Sequence, residues 1–111
     1  MEKYCFALDL KEDPILISEY KKHHECIWPE ITKSITDAGI ENLEIYIVGN
    51  RLFMIMEVND SFSFEKKSKM DEQNPKVQKW EELMWKYQKA LPFAQKTEKW
   101  KLMDKIYQLK E

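Results

Sequence analysis

The sequence predicts an α+β sandwich in which a four-stranded antiparallel sheet carries helices on one face. Three observations lead there. Two runs rich in Ile, Val, Leu, Tyr and Phe, residues 42–48 and 51–58, are separated only by Gly49 and Asn50, a strong hairpin signal. Val77, Trp80, Met84, Tyr87 and Leu91 recur at three- and four-residue spacing, so a helix there carries one apolar stripe to lay on a sheet. The order of elements, strand, helix pair, strand, strand, helix pair, strand, is that of a split βαβ sandwich. With 111 residues, no internal repeat and no linker, the chain reads as a single domain over residues 1–111.

Each element has a local cause. Tyr4, Phe6, Leu8 and Leu10 alternate with Cys5, Ala7 and Asp9, which predicts a first strand over residues 3–10. Asp13 caps the following helix and Pro14 occupies its first position, where the missing N–H has no helical partner to lose. That helix is expected to reach Ile27. Trp28 is steered out of the helical region by Pro29, which starts a second helix through Ile31, Ile35 and Ala38, ended by Gly39 as a left-handed cap. After the hairpin comes a short polar helix over residues 61–70. Asn74 and Pro75 then repeat the cap-and-proline pair before the longer helix, which Pro92 ends. Residues 100–109 give a last strand with Trp100, Leu102 and Ile106 on one face, interrupted by Asp104. Both faces of the hairpin are apolar, Leu43, Ile45 and Ile47 on one and Tyr46 and Val48 on the other. The face away from the helices therefore calls for a homodimer, a substrate cavity or both.

Composition narrows the function. Eighteen Lys and Arg against 20 Asp and Glu give a net charge of −2, interspersed along the chain, so no basic face suits a nucleic acid. Gly39 and Gly49 are the only glycines, which excludes both the three-glycine dinucleotide fingerprint and the P-loop. The longest strongly apolar run is the five residues 52–56, far from a membrane span, which needs about 20. The N-terminal MEKYCFALDL contains no apolar stretch of signal-peptide length, so a cytoplasmic protein is expected, with Cys5 and Cys26 reduced and buried. Chemistry then falls to side chains.

In the segment ISEYKKHHECIWPEI, Tyr20 and His24 share one helical face and His23 points about 100° away. An imidazole near neutrality both gives and takes a proton, and a phenol one turn away can orient the same substrate hydroxyl. On spacing alone the plainer reading is a half-buried core tyrosine with a hydrogen-bonded histidine neighbour. His23, His24, Glu25 and Cys26 do not make a metal site, because adjacent helical residues diverge. Cys26 as a nucleophile lacks a base on its own face. In the longer helix Trp80 lies on the apolar stripe, while Glu81 and Trp85 share another face. A tryptophan bordering a cavity suits the apolar side of a sugar ring, and a carboxylate beside it accepts hydroxyl hydrogen bonds. The plainer reading makes the tryptophan core and Glu81 a solvated surface residue.

The stretches EYKKHHECIWPEI, AGIENLEIYI, RLFMIMEV and VQKWEELMWKY, in that order and spacing, resemble the L-rhamnose mutarotase family over nearly the whole chain. The resemblance implies a ferredoxin-like domain forming a homodimer, the dimeric α/β barrel, which interconverts the α and β anomers of a 6-deoxy-L-hexose without a cofactor or metal. It places the general acid at His24, the helix tyrosine at Tyr20, and the first tryptophan of a substrate-binding pair at Trp80. Glu81 and Tyr46 are further candidates for substrate hydroxyls. Two positions depart from the rhamnose pattern: Leu43 stands where a strand tyrosine contacts sugar, and Glu81 replaces the second tryptophan. With the ELMWKYQ segment the chain looks closer to the L-fucose branch, and exchanging an aromatic for a carboxylate is a change that re-reads hydroxyl stereochemistry. Two other classes compete. One is a non-catalytic dimeric barrel binding a small carbohydrate or apolar ligand, which predicts ligand stabilisation without faster mutarotation. The other is a cofactor-free monooxygenase-like protein sharing only the architecture, which predicts oxygen uptake on aromatic substrates.

Overall fold

The computed structural model describes residues 2–94 and 99–109. In chain order it contains β1 (Glu2–Leu10), α1 (Pro14–Glu25), α2 (Pro29–Asp37), β2 (Ile40–Val48), β3 (Arg51–Val58), α3 (Phe64–Glu72), α4 (Pro75–Trp85), β4 (Gln88–Lys89) and β5 (Lys101–Leu102). The sheet runs β2-β3-β1, and the free edge of β1 is shared by two short pieces: β4 opposite Asp9 and Leu10, and β5 opposite Phe6 and Ala7. All pairings are antiparallel. This is the ferredoxin-like split βαβ arrangement, with the fourth strand position broken into two two-residue segments.

The caps follow the sequence. The Asp13 carboxylate accepts from the amides of Ile15 and Leu16, Ser63 Oγ from Lys66, and Asn74 Oδ1 from Lys76 and Val77. Pro14, Pro29 and Pro75 each open a helix. Val48 pairs with Arg51 across the hairpin, and Gly49 takes a φ of +59°, the first-position glycine of a type II′ turn. Glu41 is an extra residue between Ile40 and Asn42, bulging the start of β2.

Register sorts the two sheet faces. Phe6 lies opposite Met54, Ile45 opposite Met54 on the other side, and Leu43 opposite Met56, so these side chains share the face under the helices. Leu10, Tyr20, Ile31, Trp80, Met84 and Tyr87 form one buried cluster there, and Phe6, Ile40, Met54, Met56 and Val58 a second. The opposite face carries Cys5, Ala7, Phe53 and Ile55, half-buried, and Tyr46 and Val48, exposed. Asp9 and Arg51 pair across β1 and β3 on that face through a two-pronged contact of 2.7 and 3.1 Å.

Four expectations change. α1 stops at Glu25, because Cys26 leaves the helical region with a φ of −144° ahead of Trp28-Pro29. Cys26 is consequently exposed and Cys5 half-buried on the outward sheet face, so neither is a buried hydrophobe; both are free thiols. α4 ends at Trp85 instead of continuing to Leu91. The Tyr87 carbonyl accepts from the amide of Lys11 at 2.8 Å, and Gln88 pairs with Leu10, so the sheet edge captures backbone that the apolar spacing assigns to helix. The last strand shrinks to Lys101 and Leu102. Met103 still donates to the Cys5 carbonyl at 2.8 Å, but Ile106 beyond it is 95% exposed.

Candidate active site

The helices and the sheet enclose a cavity of about 310 Å³. Phe6, Leu43, Ile45, Met54 and Met56 supply the sheet side; Tyr20 and His24 come from α1, Ser34 from α2, Lys67 and Asp71 from α3, Trp80 and Glu81 from α4, Gln88 from β4, with Trp100 completing the wall. The polar groups converge on a largely apolar enclosure, the usual make-up of a small-molecule site.

His24 is held by its own helix. Its Nδ1 lies 2.9 Å from the Tyr20 carbonyl oxygen, which only accepts, so Nδ1 carries the proton and the neutral ring keeps its lone pair on Nε2. Burial pushes the imidazole below its ordinary pKa; the bond to Tyr20 opposes this and His23 adds to it. The Tyr20 and His24 rings stand 4.4 Å apart, and the Trp80 ring lies edge-on to His24 at 5.7 Å and to Trp28 at 5.1 Å.

Tyr20 is 4% exposed, and burial raises its phenol pKa, with the Gln88 contact opposing and the Glu81 charge adding, so at neutral pH it is a protonated donor. Gln88 Nε2 donates to its oxygen at 3.4 Å, leaving the phenol's own proton to give. Gln88 Oε1 is buried and, among the described residues, is the one buried side-chain polar atom without a hydrogen-bond partner.

The charged groups lining the cavity are already matched. Lys67 pairs with Asp71 at 2.7 Å. Glu81 pairs with Lys99 at 3.2 Å, and Lys99 also donates to the Glu81 carbonyl at 3.1 Å and sits 4.7 Å from the centre of the Trp85 ring. Glu81 and Trp85 thus do share a face, joined by one ammonium group.

His24, Tyr20, Trp80 and Glu81 meet at this cavity; Tyr46 does not. With Ile45 turned under the helices, period two turns Tyr46 outward, where it is 54% exposed and donates to Glu44 at 3.3 Å. His23 also diverges: its Nε2–H donates to the Tyr87 hydroxyl at 3.1 Å, which donates to Glu19 at 3.1 Å. Gln88 and the Lys67–Asp71 pair are additions that spacing did not single out, and Trp100, read from spacing only as a strand residue, is a third. The i, i+4 pair was visible as a charge pattern; its direction was not.

Comparison with known proteins converges on one family. The L-rhamnose mutarotase family model matches residues 3–109. An L-fucose mutarotase of Xanthomonas campestris pv. campestris is 41% identical over 113 aligned positions, covering all of this chain and 90% of that protein. An L-rhamnose mutarotase of Phocaeicola vulgatus is 35% identical over 78% of this chain and 76% of its own. Among solved structures, an L-rhamnose mutarotase from Formosa agariphila superimposes with a TM-score of 0.73 at 21% identity, covering 99% of this chain and 100% of that one. Tetracenomycin F2 cyclase from Streptomyces glaucescens, a polyketide cyclase, superimposes at 0.63 with 14% identity over 100% and 99%. At those identities the two structures speak for the fold alone.

Proposed function

The chain belongs to the L-rhamnose mutarotase family, and from that premise we infer that it is a sugar mutarotase exchanging the α and β anomers of a 6-deoxy-L-hexose, with L-fucose as its first substrate. The observation that carries the reading is the fixed His24 imidazole, its Nε2 unclaimed among the described residues, in a cavity whose charges are internally paired. Such a site suits a neutral, polyhydroxylated ligand. The longer and closer match to a protein named for L-fucose favours that sugar, as do Leu43 and Glu81 at the substrate wall.

Ring opening moves one proton from the anomeric hydroxyl to the ring oxygen while the bond from the anomeric carbon to that oxygen breaks. Rotation of the aldehyde and reclosure give the other anomer. His24 takes the anomeric proton at Nε2 and returns it to the ring oxygen. Both oxygens are bonded to one carbon, so a single imidazole edge reaches both. The Tyr20 phenol donates to the oxygen that carries developing negative charge. Trp80 supplies an aromatic wall for the C–H side of the sugar, and Glu81, steadied by Lys99, accepts from a ring hydroxyl.

We place the outward sheet face, with Tyr46, Phe53 and Ile55, in a homodimer interface, where its apolar surface is covered. No helix among the described residues is long and apolar enough to cross a membrane. The free thiols Cys5 and Cys26 suit the reducing cytoplasm. The deciding experiment is saturation-transfer NMR on a panel of deoxy and parent hexoses. Exchange above the buffer rate on L-fucose supports the reading, and buffer-rate exchange on every sugar removes it.

A further inference from the structure

Gln88 is badly served by its neighbours in the chain. Its backbone is fixed in β4 opposite Leu10, and its residue surface is 4% exposed. Its Nε2 reaches the Tyr20 hydroxyl at 3.4 Å, a long contact, and its Oε1 reaches no donor among the described residues. A desolvated carbonyl without a donor is destabilising, and an apolar side chain of the same shape would avoid it. Gln88 lines the cavity beside Tyr20 and His24, so a hydroxyl-bearing ligand seated there can complete the amide once it turns toward the cavity.

The two ends of the amide define that ligand. Turned about its last torsion the group offers either a carbonyl or an NH₂, and in either setting one end is left over by the Tyr20 hydroxyl. A ligand hydroxyl satisfies whichever end is free, because it both gives and accepts. A carboxylate serves only the NH₂ and an ammonium only the carbonyl. We propose that Gln88 is a specificity-determining residue whose amide hydrogen-bonds one hydroxyl of the sugar, the substrate completing a polar group that the fold leaves incomplete. This rests on the mutarotase reading above.

The test compares anomer exchange by wild type and Gln88→Met on L-fucose and on L-fucose analogues lacking one hydroxyl at a time. Wild type is expected to lose at least about tenfold in kcat/KM on one analogue. Gln88→Met is expected to show about a tenfold higher KM for L-fucose with kcat within about twofold, and no discrimination against that analogue. Without ligand, Gln88→Met is expected to melt no lower than wild type, having lost the unpaired carbonyl. Unchanged KM and unchanged discrimination in the folded variant overturn the proposal while wild-type exchange leaves the mutarotase reading standing. A wild type that exchanges no sugar overturns that reading and this proposal together. Should Gln88→Met not fold, Gln88→Leu is measured in its place, and a wild type that discriminates against none of the analogues also overturns the proposal.

Discussion

The Nδ1 of His24 donates to the backbone carbonyl of Tyr20, one helical turn earlier, across 2.9 Å. One main-chain contact thereby decides which edge of the ring carries the lone pair that the proposed mechanism uses. His24→Ala removes that ring without removing a backbone partner from α1. The variant is expected to fold with its stability reduced by about 1 kcal/mol and to lose anomer exchange by about 10²–10⁴-fold. Saturation transfer on L-fucose and L-rhamnose reads the loss, and full exchange in the variant removes His24 from the mechanism.

Burial holds the His24 pKa below 6.5, so in the window between the folded value and 6.5 the unfolded chain binds more protons at this site than the folded one. Its contribution to stability is therefore complete above 6.5 and declines as pH falls through that window. Catalysis should follow the same direction, since in the proposed mechanism the neutral ring takes the anomeric proton. After subtraction of uncatalysed exchange, kcat/KM is expected to rise with pH, with its inflection below the ordinary histidine value, and to be level above that value. A rate that falls over this interval would identify the imidazolium as the working resting form.

The outward sheet face gives a third expectation. Ile55 lies at its middle, beside Cys5 on β1 and Glu44 on β2. Ile55→Asp places a charge in the proposed interface, and the protein is expected to pass from dimer to monomer by light scattering with its sheet intact by circular dichroism. A wild type that is monomeric at micromolar concentration contradicts the dimer.

The two glycines are expected to respond differently to alanine. At Gly39, with φ +97°, a Cβ would lie 2.6 Å from Asn59 Oδ1 and 2.8 Å from Ser61 Oγ, inside the turn where Asn59 holds the Ser61 amide. At Gly49, with φ +59°, nothing stands within 4 Å. Gly49→Ala is expected to cost about 1 kcal/mol and Gly39→Ala roughly twice that or more in urea unfolding. Equal losses would show that backbone conformation alone matters at Gly39.

Period-two runs made β1 and the hairpin legible, and Asp13-Pro14, Pro29 and Asn74-Pro75 marked three helix starts, because each is decided by neighbours in sequence. Tyr20 and His24 were legible as a pair for the same reason. The end of α4 was not. Tyr87 and Leu91 stay buried at 2% and 3%, as a helical stripe implies, but the chain brings them there through a turn and an edge strand held by Lys11 and Leu10. That misreading hid Gln88: helical phasing leaves it at the edge of the apolar stripe, four residues after Met84, and gives no sign of its place in the sheet opposite Leu10. Glu81 looked solvated because Lys99, 18 residues away, is invisible to local spacing.

The matched pairs Lys67–Asp71 and Glu81–Lys99 bear on what charge a guest of the cavity can carry. A phosphate ester entering this cavity would meet one lining lysine, Lys67, whose charge Asp71 already shares, and the carboxylates of Asp71 and Glu81, which repel it. The lining thus favours an uncharged sugar over its phosphate ester.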